Sequence, residues 1–330
     1  MSDIPKADER SSVDDDGLAI DTAVAPDEPG APLAAALEAA GLEATAEPVP
    51  LSQRQLFLRR FKRHKLAIIS LVVLILIFVL CFGASWFATS PSDQRSDLSL
   101  KNMPPSLDHP FGTDYNGRDM ASRVLYGGQI SLRIGVGVAI VSTLLGTTMG
   151  AIAGLYGKWI DQVLMRITDL VLILPAIAVL AVAFQRWEAS PTTIVLVLAA
   201  LFWMPIARVV RGLTLSLKEK EFVEGARAAG ASGPRIILRH ILPNCIGPIM
   251  VNLTLQIAVA IITESTLSFL GLGVAKPEIS WGTLLYDARS SYNQNIHLIL
   301  FPGMAILLTV LAVNALGDGL RDALDPHAKH

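Results

Sequence analysis

Six long apolar stretches punctuate the chain, at roughly residues 66–88, 130–156, 164–185, 192–212, 247–270 and 297–318. Each supplies the ~20 mostly apolar residues that a helix needs to cross ~30 Å of hydrocarbon. Each is expected to be helical, because a strand in lipid would leave its edge N–H and C=O groups without partners. Six crossings put both termini on one side, and the expected fold is an all-α membrane protein with six transmembrane helices.

Two features of the pattern modify this picture. The second stretch carries Gly146, Gly150 and Gly154 at four-residue spacing, with Thr143, Thr147 and Ala151 beside them. A face of small residues lets a neighbouring backbone approach closely where lipid provides no hydrophobic drive; the neighbour is either another helix of this chain or one of a partner. Two acidic residues interrupt apolar runs and are costly there. Asp169 lies three positions after Arg166, so an ion pair near the cytoplasmic face is one reading and a place on a transport route the other. Glu264 has no basic residue within a turn. It is either a carboxyl hydrogen-bonded to Ser, Thr or backbone of another helix, or a group that lines or gates the route. Pro175, in the third stretch, removes a backbone hydrogen bond and can place a bend.

Composition agrees with a membrane protein: 52% of residues are hydrophobic and 17% charged, and the mean hydropathy is +0.49. The net charge of -2 conceals an asymmetry, because residues 1–50 hold 12 Asp/Glu against Lys6 and Arg10. That segment has no aromatic residue and too little apolar surface to offset chain entropy, so it is expected to be a disordered acidic cytoplasmic tail. An acidic start is also the opposite of a signal peptide's cationic region. Around the spans, Lys and Arg number 17 on the side of the termini and 8 on the other, which predicts cytoplasmic termini by the positive-inside rule. The expected domains are the tail (1–50), an N-terminal region with the first helix and an outer segment (51–128), a core of helices 2 to 6 (129–320) and a cytoplasmic end (321–330). Within the outer segment, residues 89–129 alternate Asp114, Arg118, Asp119 and Arg123 beside Gly112 and Gly117, and read as an ordered cap, with an amphipathic helix as one form. Cys81 and Cys245 fall near opposite faces of the membrane, too far apart for a disulfide, and no residue cluster has metal-ligand spacing.

The most informative stretch is polar: "EFVEGARAAGASGPRIILRHILPN", residues 221–244. Phe222, Ala226 and Ala229 form a short apolar stripe on a charged helix, and Gly230 suits a left-handed helix end. Ser232 or Gly233 then caps a second helix with Pro234 in its first turn. Ile236, Ile237, Leu238, Ile241 and Leu242 make that helix apolar around most of its girth, and Pro243 is expected to end it. Helices of about ten residues are unstable alone in water, so the pair needs either a groove on a partner, oriented by Glu224, Arg227 and Arg239, or a bed of headgroups or its own bundle.

This stretch resembles the EAA loop of the membrane subunits of ABC-type importers. Glu224, Ala226, Gly230 and Pro243 match, and Gly225 replaces the first Ala. "HPFGTDYNGRDMASRVLYGGQISLRIG" (109–135), "ESTLSFLGLGVAKPEISWG" (264–282) and "NALGDGLRDALDP" (314–326) are similar to the C-type permease of dipeptide and oligopeptide importers. Gln129 stands where that family often has Arg, and Lys276-Pro277 where it often has Pro-Pro. The resemblance implies a type I ABC importer permease bundle in the cytoplasmic membrane that moves di- or oligopeptides. It further implies pairing with a B-type permease, docking on two cytosolic ABC ATPases, and receipt of substrate from an extracytoplasmic peptide-binding protein within a lipid bilayer, with no nucleic acid involved. Glu221, Glu224, Ala226, Arg227, Gly230, Arg239, His240 and Pro243 are then the expected ATPase-coupling residues, and Glu264 and Asp169 the candidates for the path or gate.

No G-x-x-x-x-G-K-[ST] phosphate loop occurs, so ATP and Mg are expected on the partner ATPases; no catalytic, cofactor or metal site is expected in this chain. Relatives with similar permeases carry nickel chelates or glutathione, which keeps those substrates open. A proton-coupled secondary transporter working through Asp169 and Glu264, or a scaffold for an ATPase, are the rival readings from other classes.

Overall fold

A computed structural model describes residues 53–90, 96–291 and 293–324; the acidic tail and the last six residues of the cytoplasmic end lie outside the described residues. Among the described residues the fold is helical, and the only bridge between extended residues is Thr113 with Asp119.

A short amphipathic helix, α1 (Gln53–Arg63), precedes the first apolar helix, α2 (Lys65–Phe82), with His64 capping the latter through its ring nitrogen on Ala67 N–H. Next comes α3 (Met120–Tyr156). It starts ten residues before the apolar run does, because Asp119 caps it by accepting from the Ser122 N–H and hydroxyl at 2.8 and 2.7 Å. Its 37 residues span ~55 Å, well beyond the hydrocarbon thickness, and so its polar first turns extend outside the membrane.

The third and fourth apolar runs are broken helices. α4 (Lys158–Ile173) and α5 (Ala176–Arg186) meet at Leu174–Pro175 with a bend of 81°, far sharper than an ordinary proline kink. α6 (Pro191–Phe202) and α7 (Met204–Leu217) meet at Trp203 with a bend of 43°. Among the described residues, four helices are long and apolar enough to cross a membrane by themselves, and up to six spans result if each bent pair counts as one. The glycines of α3 pack within this chain. A Cβ on Gly146 would sit 2.3 Å from the Trp203 carbonyl oxygen, one on Gly150 2.3 Å from that of Ala207, and one on Gly154 2.6 Å from Cβ of Thr214.

The 221–244 stretch differs from expectation in its second half. α8 (Glu221–Ala228) is a separate short helix, but α9 (Gly233–Ile236) runs through a π turn (Ile237–Ile241) directly into α10 (Leu242–Phe269). Pro243 therefore does not end a helix; it sits in the first turn of α10, where its missing N–H costs little. The wider π turn, with Leu242 N–H reaching Ile237 O, shifts the hydrogen-bond ladder around the proline. α11 (Trp281–Ala288), opened by a capping box between Ser280 and Thr283, and α12 (His297–Leu324) complete the bundle.

Of the outer segment 89–129, residues 96–119 form turns with one short 3-10 turn (Leu98–Leu100), residues 120–129 open α3, and residues 91–95 lie outside the described residues. Its fixed points are turns and buried charges. Asp97 accepts from the N–H and hydroxyl of Ser99, which holds its carboxyl below the ordinary carboxylate value. Asp114 accepts from the N–H groups of Asn116 and Arg118 at 2.8 and 2.9 Å and pairs with Arg123, whose other nitrogen lies 3.2 Å from Asp287. The charges that alternate in sequence thus divide in space: Asp114 and Arg123 enter the interior, while Asp119 caps α3 and meets His109 at 3.0 Å. Trp281, fully buried, donates its indole N–H to Val124 O at 2.8 Å and pins α11 to the same turn of α3.

Candidate functional site

α8 is held to the bundle through Val223. Val223 is fully buried in a cluster with Ile236, Ile241 and Cys245, against Leu155, Leu213 and Leu217. The stripe of Phe222, Ala226 and Ala229 points elsewhere: Phe222 is 45% exposed, Ala229 exposed and Ala226 half-buried. Of the second segment's apolar residues, Ile236 and Ile241 turn inward and Leu238 stays 68% exposed.

The end of α8 is a tight hydrogen-bonded stop. Ala231 N–H reaches Ala226 O and Gly230 N–H reaches Arg227 O, each at 3.0 Å, with Gly230 at φ +80°. This six-to-one and five-to-two pattern satisfies two of the carbonyls that a helix end leaves free. It also sets the angle between α8 and α9. Glu221, Glu224, Arg227 and Arg239 are exposed, and among the described residues none of them has an ion pair. His240 is half-buried with its ring centroid 6.5 Å from that of Phe222, and Pro243 is exposed. The result is one surface with two apolar projections, Phe222 and Leu238, among unpaired charges.

Glu264 and Asp169 occupy unlike places. Glu264, on α10, is fully buried. It accepts from the hydroxyls of Ser268 at 2.7 Å, Ser131 of α3 at 3.2 Å and Ser265 at 3.4 Å. Ser131 in turn accepts from Trp281 N–H at 3.1 Å, and Ser280 donates to Ser268 at 3.4 Å. Glu264 is thus the hub that joins α3, α10 and the start of α11. Asp169 is half-exposed and pairs at 2.5 Å with Arg208 of α7. The expected partner, Arg166, is displaced because Arg208 comes from a facing helix. A second bridge between the same helices joins Arg211 to both carboxylate oxygens of Asp161, one of them at 2.6 Å. The two sequence candidates for the path are not brought together.

Residues 146–330 match the family described as binding-protein-dependent transport system inner membrane component, and residues 52–105 match the N-terminal TM domain of oligopeptide transport permease C. The chain belongs to this permease family. A putative peptide transport system permease protein of Brucella abortus is 41% identical over 271 residues, covering 82% of this chain and 91% of that protein. The glutathione transport system permease protein GsiD of Escherichia coli O6:K15:H31 is 44% identical over 274 residues, covering 83% and 90%. Among solved structures, an inward-facing form of the MetNI methionine ABC transporter superposes with a TM-score of 0.51 at 16% identity, over 62% of this chain and 98% of that one. The fold is the type I permease fold, and the protein is a multi-pass inner-membrane permease subunit of an ABC importer.

Some of the permease's organising residues escaped sequence reasoning. Asp287 and its bridge to Arg123 span 164 positions, a distance no local pattern encodes. Ser265 and Ser268 were legible as hydroxyls one and four residues beyond Glu264, but Ser131 and Ser280 come from other elements.

Proposed function

We propose that this permease imports di- or oligopeptides, pairs with a B-type permease and docks α8 and α9 onto one of two cytosolic ABC ATPases. The observation that carries the docking is the α8 surface. A short helix, anchored through Val223 and locked at its end by Gly230, presents Phe222, Leu238 and four unpaired charges outward. Such a surface gains stability from a groove of matching charge. The peptide substrate is carried over from the names of relatives at 41% identity, and glutathione from one at 44%; glutathione, itself a tripeptide, remains the second reading.

ATP binding would close the two ATPases and move the docked α8. Because α9, the π turn and α10 form one continuous helix of 37 residues, displacement at the cytoplasmic end is carried along a rod to the Glu264 hub and the loop that follows it. The bundles would then rock to accept substrate from an extracytoplasmic binding protein, and hydrolysis would reset them. Each state needs its own contacts for such a cycle to turn. In this reading Glu264 keeps the rod in register rather than touching peptide, and both termini lie in the cytoplasm with ATP and Mg on the partners.

The test is uptake of labelled dipeptide and glutathione into proteoliposomes that hold the permease with its co-expressed partners and binding protein. Uptake is expected only with ATP. Uptake that continues with hydrolysis-dead ATPases would refute the proposal, and preference for glutathione would select the second substrate.

A further inference from the structure

We infer that α1 is a docking site for anionic phospholipid headgroups. The helix has two faces. Phe57 and Phe61, half-buried with ring centroids 6.0 Å apart, and half-buried His64 line one side. Arg59, Lys62 and Arg63 are exposed on the opposite arc, with Leu58 52% exposed at its edge and exposed Lys65 beginning the next helix. Among the described residues, Arg59, Lys62, Arg63 and Lys65 have no acidic partner. An amphipathic helix with cations on one face and a large apolar residue at the margin lies naturally in a membrane interface.

Two further observations separate this face from an ordinary solvated charge run. The first is position: α1 is joined through the single residue His64 to α2, whose Lys65 opens a membrane-spanning helix, so the arc sits within a turn or two of the headgroups. The second is rigidity. His64 lies 3.5 Å from Asp322 near the end of α12. One turn away Gly319 has no room for a side chain, since a Cβ there would fall 2.2 Å from that of Ala67. The elbow between α1 and α2 is thereby clamped against α12, and the cations are held in one direction instead of being free to sample solvent. Phosphodiester headgroups supply the missing negative charge, and Leu58 can enter the acyl boundary beside them. The inference needs only that α2 crosses the bilayer; it does not depend on the substrate or on the ATPase contact.

The test uses the full-length permease in neutral detergent with equal amounts of phosphatidylglycerol and phosphatidylcholine, reading retained lipid by native mass spectrometry and affinity by titration. Wild-type protein is expected to retain phosphatidylglycerol in preference, and added salt to weaken it as screening rises. The combined Arg59→Gln, Lys62→Gln, Arg63→Gln variant is expected to lose about a hundredfold in affinity, at roughly fivefold per cation. The charge-keeping pair Arg59→Lys, Arg63→Lys should bind as wild type does. Retention by the glutamine variant equal to wild type, or equal retention of both lipids, overturns the inference. Displacement by inorganic phosphate at matched ionic strength does so too, since it marks a free-phosphate site. If the glutamine variant does not fold, the salt dependence of the wild type decides, and binding indifferent to salt refutes it.

Discussion

Gly230 offers a clean perturbation of the docking loop, because its φ of +80° lies in the left-handed region while a Cβ there would meet nothing within 4 Å. The Cβ of a replacement finds open space, so the principal effect of Val is backbone strain. Left-handed geometry costs an L-residue about 1–2 kcal/mol, with a β-branched side chain at the upper end. The chain can escape only by giving up the bonds from Gly230 to Arg227 and from Ala231 to Ala226, at about 1 kcal/mol each. Both routes cost about 2 kcal/mol, equivalent to a roughly 30-fold fall in the population of the docked geometry. Ala should cost about half as much, and Asn, which tolerates this conformation, close to nothing. Gly225→Ala is the control: it lies inside α8, has open space around it and gains up to about 1 kcal/mol of helix stability. The assay is the ratio of ATP-driven peptide uptake to ATP hydrolysis in the reconstituted transporter. The expected order is Gly ≈ Asn > Ala > Val, with Gly225→Ala unchanged. A Val variant that couples as well as wild type would refute both the proposed docking geometry and the role of the loop stop.

Three other outcomes follow from the interior. Glu264→Ala removes the acceptor shared by Ser131 and Ser268 and should destabilise by about 2–4 kcal/mol, lowering the midpoint of thermal aggregation in detergent, whereas Glu264→Gln keeps an acceptor and should lose less; an Ala variant as stable as wild type would discount the hub. Gly150→Ala places a methyl 2.3 Å from the backbone oxygen of Ala207, which cannot swing aside, while Gly212→Ala on the facing helix meets nothing; the first should lower the midpoint and the second should not. Asp169→Asn breaks a half-exposed pair worth at most about 1 kcal/mol, so ATP-driven uptake should stay within about fivefold of wild type. Abolished uptake at normal stability would instead favour a proton route.

Much of the architecture was legible where physics acts locally. Apolar length located the six crossings, and the run of small residues located a close helix contact. Gly230 was readable because one residue type dominates left-handed helix ends. The misreadings came from residues whose local rule was overridden. Pro243 suggests an ending, yet a proline is compatible with a helix's first turn, and the preceding π turn makes it one. The apolar run begins at about residue 130, whereas α3 starts at Met120, because Arg123 and Gln129 find partners that let the helix continue beyond the apolar pattern. Arg123 is neutralised by Asp114 and Asp287, and Gln129 donates to Cys81 O at 2.8 Å. Arg166 is the basic residue nearest to Asp169 along the chain, while the fold offers Arg208 across 39 positions.

The break at Leu174–Pro175 imposes a requirement on whatever surrounds the permease. A helix interrupted at membrane depth exposes the last carbonyls of its first half and the first N–H groups of its second. Acyl chains cannot hydrogen-bond to them, and each group left bare in hydrocarbon costs several kcal/mol. Ile173, Leu174 and Ile177 beside the break are 76%, 50% and 45% exposed in the isolated subunit. Leu174 N–H and Val179 N–H find partners within the chain at 3.1 Å, but the remaining groups at the corner would be bare against acyl chains, so at membrane depth this corner is expected to be covered by another polypeptide or by water rather than by lipid.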